Sequence, residues 1–273
     1  MTRTGDTWCT VQKQWRNDGF REEWWNRIAG QIIQRATRPA DGGEERVEPK
    51  ITWYGQSTVG IEFGGVRIVI DPFRIPAGQP EADVILISHH HPGHLSPLDI
   101  ARVFREHTVV YASTRAAERL DRSLNAQRLV TGNVIHHGPL TIQAVAAYNV
   151  NKFRHPGVLV HPPESQGLGF VIDIDDLSFY FAGDTDVIPE MDQIGPVDYA
   201  FLPVGGGSVM TAEEAAQAAT VVQPSIAIPI HYGGSTGSLE DARRFSNLVP
   251  DQVRVWIMTP PGDPSDLQPE NHV

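Results

Sequence analysis

The part of the chain from Lys50 onward alternates short apolar runs with turn residues, and this alternation predicts a series of β-strands. Helical patterns intervene at about residues 97–105, 114–120, 211–221 and 238–247. The strand-like runs are ITWYG, VGIEFGG, VRIVIDPF, DVILIS, TVVYAS, LTIQAVAAY, LGFVIDIDD, LSFYFAGD, YAFLPVGG, IAIPIHYG and VRVWIM. Because the strands first follow one another directly and later alternate with helices, we expect an α/β fold built as a layered sandwich.

The first 48 residues differ in composition from the rest of the chain, since four of the six tryptophans lie there. Apolar residues spaced four apart would share one face of a helix; they are Phe20, Trp24, Ile28 and Ile32. We therefore expect a Trp-rich helical extension at residues 1–48, followed by one domain at residues 49–273. The extension is expected to pack against the main body, and a lid or a homo-oligomer contact is the alternative.

The charge balance of the chain is acidic, with 33 acidic and 22 basic residues and a net charge of −11 when histidine is neutral. Such a surface repels polyanions, and the chain has no cluster of Lys or Arg, so we expect no nucleic-acid partner. The start lacks the apolar segment of a secretory signal and no apolar run reaches about 18 residues, so we expect no membrane partner and a cytoplasmic location. The single cysteine, Cys9, excludes an intrachain disulfide.

Polar residues that can bind metal ions follow three of the predicted strands directly. VILIS runs into a histidine cluster that contains His89, His91 and His94, LSFYFAG runs into Asp184, and IAIPI runs into His231. In layered α/β proteins, the loops at one edge of the sheet gather such residues into a common cleft. Neutral imidazole is the commonest nitrogen ligand for zinc and similar ions, so the pattern predicts a site for a divalent metal.

Three motifs in this order, SHHHPGH, FAGDTD and IPIHYG, resemble the ligand motifs of the metallo-β-lactamase superfamily. The flanking segments ITWYGQSTVGIEFGGVRIVIDPF and VDYAFLPVGGGSVMTAEEAAQAATVVQPSIAIPIHYG resemble the branch of metal-dependent hydrolases that is similar to ascorbate-6-phosphate lactonase. The resemblance covers roughly residues 50–250 and implies a four-layer αββα sandwich. It does not identify the substrate, because one fold carries many chemistries.

The resemblance also implies ligands for one or two divalent ions. His89 and His91 match the first two ligands, and His94 matches a ligand of the second ion. Asp184 matches the bridging carboxylate, and His231 matches the last ligand.

A middle histidine ligand of the family has two candidates in this chain. His155, in AYNVNKFRHPG, is favoured because relatives carry a His-Pro in this segment, and His161 is the alternative. In relatives, the acid that matches Asp71 supports a ligand imidazole from outside the metal's own contacts.

Gly93 departs from the family pattern, which has an aspartate ligand of the second ion at this position. Glycine supplies neither a ligand nor a proton acceptor, so the second position is expected to bind its ion more weakly. Three interpretations are open: an enzyme with one ion, a gap filled by Asp186 or by water, and a partly dismantled site. Gln56 is a second departure, because close relatives often have histidine there.

The predicted activity is metal-assisted hydrolysis of a small-molecule lactone, ester or amide, with phosphodiester hydrolysis as the alternative within the same chemistry. A bound divalent ion lowers the pKa of its water from about 15.7 towards about 7 and so supplies hydroxide. Zinc suits a histidine-rich site, and manganese and iron are the alternatives. Asp184, His94 and Asp186 are the candidate catalytic residues, the last two for proton transfer. A metal-binding descendant that carries out a rearrangement or only binds a ligand is the alternative from another class.

Overall fold

The computed structural model describes residues 48–234 and 236–261. The predicted Trp-rich extension at residues 1–48 lies, apart from Glu48, outside the described residues and stays a prediction.

One mixed sheet contains the first six of the described strands in chain order. Strands β1 to β3 form an antiparallel meander, whereas β3 to β6 run parallel and are joined by longer crossovers. The strands are β1 (Lys50–Gly55), β2 (Thr58–Phe63), β3 (Val66–Ile70), β4 (Val84–Ile87), β5 (Val109–Ser113) and β6 (Gln127–Leu129).

A second sheet has seven strands in the order β15-β14-β13-β12-β11-β8-β7. Strands β12 to β15 are parallel, and the remaining pairs are antiparallel. A small separate hairpin, β9 and β10, lies in the chain between β8 and β11. The strands are β7 (Val134–His137), β8 (Leu140–Ala146), β9 (Phe153–His155), β10 (Val158–Leu159), β11 (Leu168–Ile174), β12 (Leu177–Phe181), β13 (Tyr199–Pro203), β14 (Ile226–Ile230) and β15 (Arg254–Val255).

The described helices lie close to the four predicted positions. They are α1 (Pro97–Val103), α2 (Thr114–Ala117), α3 (Ala212–Val222) and α4 (Leu239–Leu248), with 3-10 helices at Arg122–Leu124, Pro163–Ser165 and Pro189–Gln193. Side chains cap α1 and α3: Ser96 Oγ accepts a hydrogen bond from Asp99 N at the start of α1, and Thr211 and Glu214 form a capping box at the start of α3. Among the described residues, no helix is long and apolar enough to cross a membrane.

The alternation of side chains along β4 shows how the layers form. Val84 and Leu86 belong to the apolar core that joins the two sheets, whereas Ile85 and Ile87 pack on the other face with α1. Each fully buried aliphatic side chain contributes roughly 1.5–3 kcal/mol. Helices α3 and α4 pack on β13 and β14 of the second sheet. The described layers therefore confirm the predicted αββα sandwich.

Candidate metal centre

The predicted site residues lie where parallel strands end. Asp71 follows β3, His89 follows β4 after Ser88, Asp184 follows β12, and His231 follows β14. Because parallel strands end at the same edge of a sheet, their loops converge. Asp71 and His231 also have positive φ angles of 48° and 59°, an uncommon backbone conformation that is held at functional sites by its surroundings.

Four imidazole rings surround one carboxylate oxygen, Asp184 Oδ2. The Nε2 atoms lie 3.3 Å (His94), 3.4 Å (His231), 3.5 Å (His161) and 3.8 Å (His89) from it. All five side chains are buried. Two ligand atoms that bind one tetrahedral ion at about 2.0–2.2 Å lie roughly 3.3–3.6 Å apart, so these separations resemble those between ligands of a shared ion.

Two buried atoms of this cluster have no hydrogen-bond partner among the described residues, His89 Nε2 and Asp184 Oδ1. A buried polar atom without a partner costs about 1–3 kcal/mol, more when it is charged, and each such atom needs an explanation. Imidazole nitrogen and carboxylate oxygen are zinc ligands, so a divalent cation would satisfy both atoms. The residues present therefore fit the metal that the sequence predicts.

One group of three histidines can hold an ion, and we refer to His89, His91 and His161 as the first ligand group. His161 Nε2 lies 3.0 Å from His91 Nδ1. His161 Nδ1 faces two acceptors, Asn149 Oδ1 at 3.0 Å and the Ser208 carbonyl at 3.2 Å. Nδ1 must therefore carry the proton, and the lone pair lies on Nε2, which points into the cluster.

This placement corrects the expectation that His155 is the middle ligand. His155 is exposed on β9 and is absent from the metal-binding groups of the described residues, whereas only 4% of the His161 surface is accessible. All three residues of β9 are exposed, whereas the chain is buried again at His161, two residues after β10. A sequence signal for His161 exists, because VLV runs directly into it, as VILIS runs towards His89.

A second group, His94, Asp184 and His231, is the second ligand group. Asp71 supports it from behind, since Asp71 Oδ2 accepts a hydrogen bond of 2.7 Å from His94 Nδ1. Asp71 Oδ2 also accepts a 2.5 Å hydrogen bond from Ser88 Oγ. That hydroxyl can then only accept from His89 Nδ1, at 3.0 Å, which leaves the lone pair of His89 on Nε2. The predicted supporting position of Asp71 is confirmed.

The electrostatics differ between the two groups. Burial, and then the charge of His94, holds the pKa of His89 well below its usual value. Burial and His161 lower the pKa of His91 to about 4, and burial lowers the pKa of His161. These three imidazoles are therefore neutral near pH 7, as metal ligands must be.

In the second ligand group, burial alone would lower the pKa of His94, but Asp184 and Asp71 raise it to about 10. Burial alone would raise the pKa of Asp184, but His94 and His231 hold it well below its usual value. This half of the cluster is therefore a buried ion pair when no metal is bound.

The sequence offers Asp186 as a residue that could fill the gap at Gly93 or transfer protons, but its hydrogen bonds direct both of its carboxylate oxygens to another loop. Its Oδ2 accepts from the backbone N–H groups of Val150 and Asn151, at 2.7 and 3.0 Å. Its Oδ1 accepts from Asn149 Nδ2 at 3.3 Å and lies 3.1 Å from Lys152 Nζ. Both oxygens are thus committed to the loop that positions Asn149, and Asp186 supports His161 indirectly.

Comparisons with known proteins agree with this geometry. A family described as the beta-lactamase superfamily domain matches residues 50–231. A UPF0173 metal-dependent hydrolase of Thermococcus kodakarensis is 30% identical over 223 residues, which cover 77% of this chain and 96% of the relative. A crystal structure of a Parabacteroides distasonis protein has 29% identity and a TM-score of 0.66, covering 77% of this chain and 92% of that one.

A more distant structure shares the fold. Igni18, a metallo hydrolase of Ignicoccus hospitalis, has 22% identity and a TM-score of 0.60 and covers 78% of this chain and 95% of its own. The likeness to ascorbate-6-phosphate lactonase stays a prediction. With the family match, the αββα layers and the His/Asp cluster at the strand ends in agreement, the chain belongs to the metallo-β-lactamase superfamily.

Proposed function

We propose that this protein is a metal-dependent hydrolase that cleaves a lactone, ester or amide bond in a small molecule. The observation that carries the proposal is the convergence of four imidazole Nε2 atoms on Asp184 Oδ2, with His89 Nε2 and Asp184 Oδ1 buried and unpartnered among the described residues. Relatives that are named metal-dependent hydrolases support the proposal.

The first ligand group would hold one divalent ion, and the second ligand group would hold another. A divalent ion supplies a water activated near neutral pH and polarises the bond to be cleaved. The histidine-rich donor set favours zinc, and manganese and iron are the alternatives.

The chain's own residues would orient these ligands and the reacting groups. Asp71 and Ser88 fix the rings of His94 and His89, and Asn149 fixes the ring of His161. Outer contacts of this kind typically contribute 10- to 100-fold in metal affinity or activity. Asp184 Oδ1, which has no hydrogen-bond partner among the described residues, would contact a bound cation.

A cavity of about 610 Å³ includes Gly93 and Gln56 in its wall and offers room for the substrate. Binding sites for small molecules usually measure about 300–1,000 Å³. Its apolar lining includes Trp53, Tyr54, Phe73, Tyr232, Leu239, Met258 and Pro260. Among the described residues that line the cavity, Arg74 is the charged one, and its guanidinium lies 5.1 Å from the centre of the Phe73 ring. We therefore expect a substrate with an apolar body and a negative group.

The test combines metal analysis with a substrate panel. Purified protein is dialysed without chelator and its metal content is measured, and then aryl lactones, esters, amides and phosphodiesters are offered, each with and without a carboxylate. The proposal expects bound metal, turnover that chelator abolishes and the same metal restores, and a preference for charged members of the panel. Turnover of phosphodiesters alone would move the assignment to the alternative that Arg74 also accommodates. Absence of metal after addition of zinc, manganese or iron would overturn the proposal.

A further inference from the structure

The space in front of Gly93 is occupied by the side chain of Gln56. A Cβ atom added at Gly93 would lie 3.8 Å from both Gln56 Cγ and Gln56 Nε2, with no other atom within 4 Å among the described residues beyond its chain neighbours. A side chain at position 93 would therefore point at Gln56. Gln56, which directly follows β1 and lies 37 positions before Gly93, therefore borders the space that the missing carboxylate would occupy.

The Gln56 amide reaches the second ligand group directly. Gln56 Nε2 lies 2.8 Å from His231 Nε2, and this same His231 nitrogen lies 3.4 Å from Asp184 Oδ2. The other end of the amide is accommodated by Gly234, because a Cβ atom there would lie only 2.8 Å from Gln56 Oε1. Gly234 thus leaves room for the amide group beside His231 Nε2, and Gly93 borders the same amide group.

The backbone of Gln56 is held in a conformation that keeps its side chain there. Its φ angle is 53°, in the left-handed region, where a non-glycine residue costs roughly 1–3 kcal/mol unless its surroundings hold it. Its carbonyl accepts a 2.6 Å hydrogen bond from His231 N and a 3.0 Å hydrogen bond from Trp53 Nε1. His231 is therefore tied to Gln56 by both its main chain and its side chain.

We propose that Gln56 replaces the carboxylate missing at Gly93 and offers its amide oxygen to a divalent cation held by His94, Asp184 and His231. The inference rests on the proposed metal centre. Rotation of the amide by about 180° exchanges its oxygen and nitrogen and brings the oxygen towards His231 Nε2. The amide is neutral, so this position would have Asp184 as its only anionic ligand, and it would bind its cation more weakly than a site with two carboxylates.

The experiment measures cation binding to the full chain after removal of metal, by calorimetric titration with zinc. Cobalt absorption provides a second readout, because its spectrum reports the number and geometry of ligands independently of activity. The variants are Gln56→Ala, Gln56→Glu, Gly93→Asp and the double variant Gly93→Asp with Gln56→Ala. Gln127→Ala, at an exposed position on β6, is the matched control.

We expect Gln56→Ala to weaken the second ion by about tenfold or more while the first ion is unchanged. Gln56→Glu should raise the affinity for the second ion. Gly93→Asp should raise this affinity more in the Gln56→Ala background than in the wild type, because the two side chains compete for one space. The cobalt spectrum should change with Gln56→Ala and not with Gln127→Ala.

Unchanged or tighter binding of the second ion in Gln56→Ala would show that the amide only covers His231, and would overturn the inference. Binding of only one ion per chain in the wild type, in Gln56→Glu and in Gly93→Asp would overturn the inference as well. The proposed hydrolase would then still hold its first ion and would not be contradicted. Failure of every variant and of the wild type to bind any ion would instead remove the proposed function, and this inference with it.

Discussion

The two ligand groups of the metal centre are close neighbours but are prepared for a cation in different ways. In the first ligand group, burial keeps three imidazoles neutral, and the lone pairs of His89 and His161 already face inward. In the second ligand group, His94 holds a proton against Asp184 and Asp71, and Gln56 covers the inward nitrogen of His231. A cation entering the first group displaces no proton, whereas a cation entering the second must displace one. The difference predicts unequal affinities at the two positions.

The largest effect should follow from Asp184→Asn, because four imidazoles face this carboxylate. We expect a loss of affinity for the second ion greater than the roughly 100-fold that outer contacts contribute, together with loss of hydrolysis. Metal content and calorimetric titration measure it. Asp192→Asn, at an exposed position in the same segment of the chain, serves as the matched control. Normal metal content in Asp184→Asn would contradict the proposed centre.

His161→Ala should separate the two groups, because it removes a ligand of the first group only. We expect the affinity for the first ion to fall by about 100-fold or more, while His155→Ala retains this ion. Elemental analysis after dialysis compares the two variants directly. Loss of the ion in His155→Ala with retention in His161→Ala would reverse the assignment.

The pH dependence of binding should also distinguish the groups. Below its pKa of about 10, His94 must release a proton before its Nε2 can bind a cation, so affinity for the second ion should rise about tenfold per pH unit between pH 6 and 8. The first ion should show little change, because the pKa values of its imidazoles are lowered and they carry no proton to release over this range. Titrations at several pH values, in buffers of different ionisation enthalpy, count the protons released. Equal slopes for both ions would contradict the comparison.

The smallest effects should come from the outer contacts. Asp71→Asn should weaken mainly the second ion, by about 10- to 100-fold, because Asp71 contacts His94 directly and His89 only through Ser88. Asn149→Ala should weaken the first ion by about tenfold, since the Ser208 carbonyl still orients His161. Calorimetric titration of both variants should show opposite selectivity, and equal losses at both positions would remove the distinction between the groups.

Much of the fold and of the site could be predicted because of a local pattern, in which an apolar strand runs directly into a residue that can bind metal. Apolar runs that end in histidine or aspartate predict His89, Asp184 and His231 at one edge of the sheets, and helical patterns predict the positions of the four helices. The choice of His155 as the middle ligand is wrong, because it relied on a His-Pro likeness in a loop without periodicity. The same local pattern, applied to VLV before His161, would have found the ligand.

Other features depend on contacts between distant positions, so the sequence shows the separate residues but does not show that they meet. Gln56, Gly93 and Gly234 lie far apart in the chain, and only the folded structure brings the amide between the two glycines. The sequence predicts Asp186 as a candidate for the gap at Gly93 and for proton transfer, yet the loop around Asn149 accounts for both of its oxygens. A pattern can show which residues follow strands, but it does not show which hydrogen bonds they have already made.

The centre draws its ligands from both sheets of the sandwich, since the histidine cluster follows β4 while Asp184 and His231 follow β12 and β14. A bound ion would therefore cross-link the two sheets, much as a disulfide does in secreted proteins. Unfolding must release that ion, so its binding adds about 2.7 kcal/mol to the free energy of unfolding when its free concentration is 100 times its Kd. Resistance to heat would then follow the supply of metal, and the melting temperature would report occupancy of the centre without any substrate.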